Sequence, residues 1–123
     1  MTKDTTVYLL HILDCIGWIK EFVQPGKEWF FKDRKTQDAV TRNLEIIGQA
    51  VKDIGSDALA KSHPDIPWAQ ISATRNVLAH QYLGVDNDLL WNIIERELPQ
   101  LERAVAELLD VLNTQQKKNS QEL

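Results

Sequence analysis

The chain is predicted to be all-α, an up-and-down bundle of four helices, on three observations. Apolar residues recur at three- and four-residue spacing over long stretches, no segment alternates apolar and polar residues long enough to argue a strand, and glycine or proline falls mainly between the stretches. With 123 residues, 43% apolar and 26% charged, there is material for one ordinary core but hardly for two.

From Val7 to Val23, Leu9, Ile12, Leu13, Ile16, Ile19 and Val23 mark one face of a first helix, which Pro25 and Gly26 stop. KEWFFKDRK follows as a packed connection, its aromatics covering one end of the core with a short helical turn before Thr36. A second helix is predicted over Gln37 to Ile54, with Thr36 as N-cap, Val40, Leu44, Ile47, Val51 and Ile54 in period, and Gly55 as its stop. Gly48, inside it, costs about 1 kcal/mol relative to alanine, which points to close approach by a neighbouring helix. The third helix starts near Pro67, where a missing N–H costs nothing, and runs to Gln81 or Tyr82 before Gly84. Asp86 or Asn87 caps the fourth, whose stripe is Leu90, Ile94, Leu98, Leu101, Val105, Leu108 and Leu112, and Pro99 should kink or divide it. The expected organisation is one domain over residues 1–113 and a flexible tail over 114–123, TQQKKNSQEL being its low-complexity end.

Composition narrows the functional classes. A net charge of −4 argues against a broad nucleic-acid-binding surface while leaving room for a small catalytic footprint. The basic run Lys27, Lys32, Arg34 and Lys35 reads as a solvated loop. A single cysteine, Cys15, permits no intrachain disulfide and no Cys-based zinc site, and the uncharged run Thr5 to Leu13 is far short of the ~20 residues that span a bilayer. The expectation is a soluble, unprocessed cytoplasmic protein without metal or cofactor.

The chemistry concentrates in TRNVLAHQY, residues 74–82. On a helical wheel turning ~100° per residue, with Arg75 as origin, Tyr82 falls ~20° to one side; to the other come Trp68 at ~20°, Ala79 at ~40°, Ser72 at ~60°, Asn76 at ~100°, Ala69 at ~120° and His80 at ~140°. Ile71, Leu78, Thr74 and Val77 lie on the same side of Arg75 as Tyr82, at ~40°, ~60°, ~100° and ~160°, so polar groups share one broad arc with small residues that leave space beside them. A ligand could fill that space, or a second helix, and a two-fold axis past this helix would gather two copies of Arg75 and His80 in one groove. Arginine and histidine without a metal suit phosphodiester transfer: the imidazole moves a proton near neutrality, and the guanidinium fork takes the phosphate charge. On spacing alone the plainer account is a solvated helix face with a histidine suited to the C-terminal dipole. Of the other histidines, His11 reads as packed or interfacial and His63, beside Pro64, as exposed. Trp68 could stack a base or form part of a dimer core, the second being the plainer reading, and Arg42 with Glu45 reads as a surface charge pair worth at most ~0.5 kcal/mol.

Arg75, four residues, His80, one residue and Tyr82 resemble the R-x-x-x-x-H-x-Y motif of the HepT-like branch of the HEPN superfamily, with the polar Asn76 in place after Arg75. YLLHILDCIGWI resembles that family's first helix, DRKTQDAVTRNLEIIGQAV its second, and HPDIPW through RNVLAHQY its third, over roughly Tyr8 to Leu109. The resemblance implies a HEPN-type four-helix fold and a homodimer with a composite site, within or without a larger hetero-oligomer. It implies metal-independent cleavage of RNA, tRNA or mRNA, by 2′-OH attack. Arg75 and His80 would be the catalytic pair, Asn76 a supporting residue, and Tyr82 the acceptor of AMP from a minimal nucleotidyltransferase antitoxin in a type VII-like toxin-antitoxin pair. The alternative is a non-catalytic helical adaptor that binds the nucleotidyltransferase and positions its substrate.

Overall fold

The computed structural model describes the backbone of residues 3–79 and 86–121 and the side chains of residues 5–78 and 86–118. Every element among them is helical: α1 Lys3–Phe22, α2 Lys27–Lys32, α3 Arg34–Ile54, α4 Ser56–Ser62, α5 Trp68–Ala79, α6 Asn87–Asn92, a π-helical stretch Ile93–Glu97, and α7 Leu98–Gln121. The all-α reading is thus the architecture, with α1, α3, α5 and the α6 to α7 column as the four long members of the bundle and α2 and α4 as short connections.

The central helix is α3, packed against both α1 and α5, while α7 closes on α1. The predicted stripes are the core. Leu9, Ile12, Ile16 and Ile19 of α1 face Val40, Leu44, Ile47 and Val51 of α3, and Leu98, Leu101, Val105, Leu108 and Leu112 of α7 complete it, all buried. The second aromatic of KEWFFKDRK, Phe30, is fully buried, with its ring 5.4 Å from that of Trp91. Trp29 and Phe31 on the same short helix remain exposed.

Helix boundaries follow side-chain chemistry, with one correction. The N-cap of α3 is Asp33, not Thr36: its carboxylate accepts from the Thr36 N–H at 3.2 Å and the Thr36 hydroxyl at 2.5 Å. An ionised carboxylate is the stronger acceptor, so the buried threonine serves as donor inside the first turn. Gly55, at φ 105°, ends α3 with its N–H on the Val51 carbonyl, and α4 begins at the next residue around a single buried side chain, Leu59. Asp86 caps α6 by accepting from Leu89 N–H at 3.2 Å.

Pro99 divides the last column as expected, and the device is a widened turn. Proline has no N–H for the carbonyl of residue 95, and its ring crowds that carbonyl; the turn before it opens, with Leu98 N–H bonded to Ile93 O five residues back. A π turn takes in about one residue more than an α turn, which suits the five-residue step from buried Ile93 to buried Leu98, while Ile94, the residue of the predicted stripe, is only partly buried. α7 continues as helix through Gln121, and its side chains from 113 to 118 are exposed.

The glycine inside α3 marks the closest helix crossing. A Cβ on Gly48 would stand 2.9 Å from the Ile71 carbonyl oxygen and 3.1 Å from Arg75 Cβ. Gly48→Ala is therefore expected to lower stability by about 1–2 kcal/mol in urea denaturation, since overpacking outweighs the roughly 1 kcal/mol gain in helix propensity. An unchanged or raised unfolding midpoint would mean that α5 does not lie this close.

Candidate functional site

Two faces of α3 do different work. The apolar stripe is the core; on the opposite side Arg42, Glu45, Gln49 and Asp53, at i, i+3, i+7 and i+11, fall within about 80° of one another. With Tyr8 and His11 of α1 and Arg75 of α5 they line an open cleft of about 480 Å³. Its apolar floor is Ile46 and Ala50.

Arg75 reaches the cleft from an unusual root. Trp68, Ile71 and Leu78 pack on the core, and Arg75 stands in line with them where α5 crosses Gly48. Its aliphatic stem is held between the two helices while its head extends into the cleft. There Arg75 Nη1 donates to Gln49 Oε1. Gln49 Nε2 in turn donates to Asp53 Oδ1 at 2.9 Å. Arg75 has no ion pair among the described residues, and its buried Nε finds no hydrogen-bond partner among them. The guanidinium is thus held by a neutral amide, with its charge unpaired among the described residues.

The remaining charges of the cleft are partly engaged with each other. Arg42 Nη1 lies 3.4 Å from Glu45 Oε2, a pair with a largely exposed arginine that screening keeps below ~0.5 kcal/mol. This is the surface pair the sequence suggested, but its position on the cleft was not. Gln49 and Asp53 were missed altogether. The available signal was their period: four polar residues aligned opposite a complete apolar stripe.

The structure divides the predicted arc of α5. Its half around Arg75 faces inward; its other half, with Ala69 and Asn76, is exposed, and Asn76 does not line the cleft. Arg75 and Asn76 are thus not brought together, because about 100° separates them and the helix partner approaches on one side only. His80 and Tyr82 lie outside the described residues. Trp68 belongs to the chain's own core, 2% exposed, with its indole N–H donated to His63 O at 2.9 Å.

Of the two readings of His11, packed or interfacial, the first does not hold within the chain: its side chain is exposed on the cleft wall, since the neighbouring Leu9 and Ile12 take the buried face of α1. The His63 side chain, expected to be exposed, is only 18% exposed: its Nε2 lies 2.7 Å from Glu107 Oε2 and its Nδ1 3.1 Å from Ser62 Oγ, which ties the turn before α5 to α7.

An all-helical bundle with this order of helices is consistent with a HEPN-type domain. The chain belongs to the HepT-like ribonuclease family, whose sequence profile, described as ribonuclease HepT-like, matches residues 12–108. It is 43% identical over 102 residues to a probable ribonuclease HepT of Thermococcus cleftensis, covering 82% of this chain and 92% of that one. It is 40% identical over 108 residues to a candidate RNase of Caldanaerobacter subterraneus subsp. tengcongensis, covering 87% and 96%. A gamma-glutamylcyclotransferase and candidate RNase of Methanocaldococcus jannaschii is 35% identical over 114 residues; the match covers 92% of this chain but only 51% of that protein. No solved structure matches the chain significantly. No helix among the described residues is long and apolar enough to cross a membrane.

The single thiol stands apart from the cleft chemistry. Cys15 is buried among the apolar residues of α1, and desolvation, with a smaller contribution from the Asp14 carboxylate, pushes its pKa up. The neutral thiol is a poor nucleophile. Native protein at neutral pH should resist alkylation by iodoacetamide and react only when guanidinium unfolds it; rapid labelling of folded protein would contradict this burial.

Proposed function

We propose that the protein is the ribonuclease toxin of a type VII-like toxin-antitoxin pair, acting on RNA in the cytoplasm without a metal or other cofactor. The observation that carries the reading is Arg75, placed at the head of a polar cleft with its charge unpaired among the described residues. A phosphodiester is the anion whose chemistry such a group advances, because the guanidinium both docks the phosphate oxygens and stabilises the charge that grows on them.

In this reading the ribose 2′-oxygen attacks the adjacent phosphorus and gives its proton to an imidazole. The bond from phosphorus to the 5′-oxygen breaks, and that oxygen takes a proton from an imidazole as it leaves. The products are a 2′,3′-cyclic phosphate and a 5′-hydroxyl, and DNA, which has no 2′-OH, is spared. His80 supplies the imidazole, and Asn76 is a supporting polar residue. Tyr82 is the regulatory group: its phenolic oxygen attacks the α-phosphorus of ATP on the nucleotidyltransferase antitoxin, pyrophosphate leaves, and the attached AMP sets negative charge and bulk where substrate would meet Arg75. The composite site belongs to a homodimer, alone or within a hetero-oligomer with the antitoxin. Supporting that, Val7, Leu10 and Trp18, each about half exposed, lie on the same side of α1 as His11 and run beside the cleft.

Purified protein should cleave RNA pools, tRNA included, with EDTA present, and Arg75→Ala and His80→Ala should each lower the rate by at least about 100-fold. Wild type and variants that behave alike would leave the adaptor role instead. With the antitoxin and ATP, wild type should gain AMP and Tyr82→Phe should not; equal labelling of both would remove Tyr82 from this role. Leu10→Glu should shift sedimentation from dimer to monomer and abolish cleavage together, whereas an active monomer would separate the dimer from the chemistry.

A further inference from the structure

The Gln49 amide has its two ends fixed by opposite chemistries. The Arg75 guanidinium is donor only, so it must face Oε1; the Asp53 carboxylate is acceptor only, so it must face Nε2. Flipping the amide would break both bonds at once. The three residues therefore form an ordered chain, Asp53 to Gln49 to Arg75, in which each bond sets the direction of the next. Gln49 and Asp53 are one turn apart on α3, and Gly48, beside Gln49, is where α5 brings in the root of Arg75. The backbone crossing and the side-chain chain thus act on the same residue from its two ends.

We infer that Gln49 is a positioning residue for Arg75, and Asp53 a positioning residue for Gln49, so that the guanidinium is aimed into the cleft before substrate arrives. The inference rests on the reading of Arg75 as the phosphate-binding group of an RNA-cleaving site. The amide suits the task because it is neutral. A carboxylate at position 49 would hold Arg75 as well but would cancel the charge that phosphate needs, while an apolar residue would leave a long cation free to sample many rotamers. Preorganisation of this kind is where a displacement of about 1 Å can cost as much as 100-fold in rate.

Two measurements on the full chain test it. The first needs no turnover: NMR of ¹⁵N-labelled protein reports hindered rotation of the Arg75 guanidinium as separate Nη resonances. These should be resolved in wild type and in Gln49→Glu, and merged in Gln49→Ala. The second is RNA cleavage. Gln49→Ala should lower kcat about 10- to 100-fold with its thermal unfolding little changed. Gln49→Glu should instead act mainly on KM, raising it about tenfold. Asp53→Ala should give a smaller loss, about threefold, restored by Asp53→Asn, whose Oδ1 still accepts from Gln49. In the Gln49→Ala background Asp53→Ala should add nothing, because residues in one chain are not additive.

Averaged guanidinium signals in the wild type, or Gln49→Ala with unchanged signals and unchanged kcat, would overturn the inference while leaving Arg75 its role. Resolved signals that collapse in Gln49→Ala, with no RNA cleaved by wild type, would keep the positioning chain and reject the nuclease reading.

Discussion

The contact on which the rest of the site depends is the crossing of α5 over Gly48. With no side chain there, the Ile71 carbonyl and the backbone of Arg75 come within contact of α3. A helix-interior glycine sacrifices about 1 kcal/mol of propensity, and the apolar contacts of Trp68, Ile71 and Leu78 offset it many times over. The crossing also decides which side of α5 is inside. Once Ile71 and Leu78 face the core, residue 75 must leave from the same seam, and a side chain with a long apolar stem and a polar end can do so while carrying most of its charged head out to the cleft. Arginine fits both halves of that requirement.

Legibility in the sequence followed the same physics. The stripes of α1, α3 and α7 were readable because burial repeats over many turns; Leu9, Ile12, Ile16 and Ile19 leave little choice of face. α4 was not readable because seven residues around one buried leucine carry no period. The division near Pro99 could be foreseen from the missing N–H, but its form as a π turn depends on how Leu98 settles onto the core. In the site, Arg75 was legible from its motif. Gln49 and Asp53 were not, because a polar stripe on an amphipathic helix looks the same whether water or a cleft lies above it. Gly48 was the clue that would have joined them: it names the point where α5 touches α3, hence the neighbours of Arg75. The helical wheel placed Asn76 and Arg75 on one arc, but a wheel has no knowledge of where the partner helix stands.

Charge gives the cleft its character. The chain is acidic overall, at −4, and the cleft holds Glu45 and Asp53 as well as Arg42 and Arg75. Counting signs would call it neutral. The pairing is not symmetric, however: Glu45 is engaged by Arg42, Asp53 by the Gln49 amide, and Arg75 by the oxygen of that same amide. Interposing one glutamine between a carboxylate and a guanidinium keeps the acid close enough to orient both hydrogen bonds but prevents it from neutralising the cation. A direct Asp53 to Arg75 ion pair would be the simpler structural solution and the poorer site.

That arrangement also sets how an anion would find the cleft. A molecule of net negative charge offers little long-range attraction to a polyanion, and non-specific affinity built from many phosphate contacts is not available to it. Recognition under the proposed function must then come from short-range contacts around Arg75, where the charge is local, oriented and partly desolvated. Such a footprint neutralises only one or two phosphates, so binding would weaken with salt far less steeply than for a protein that neutralises six to ten, about a unit of log–log slope per phosphate. The small number of charges lost to salt and the exacting stance required of Arg75 would be two consequences of the same design: under the proposed function, with one cation unpaired among the described residues of the cleft to meet the phosphate, its direction matters more than its number.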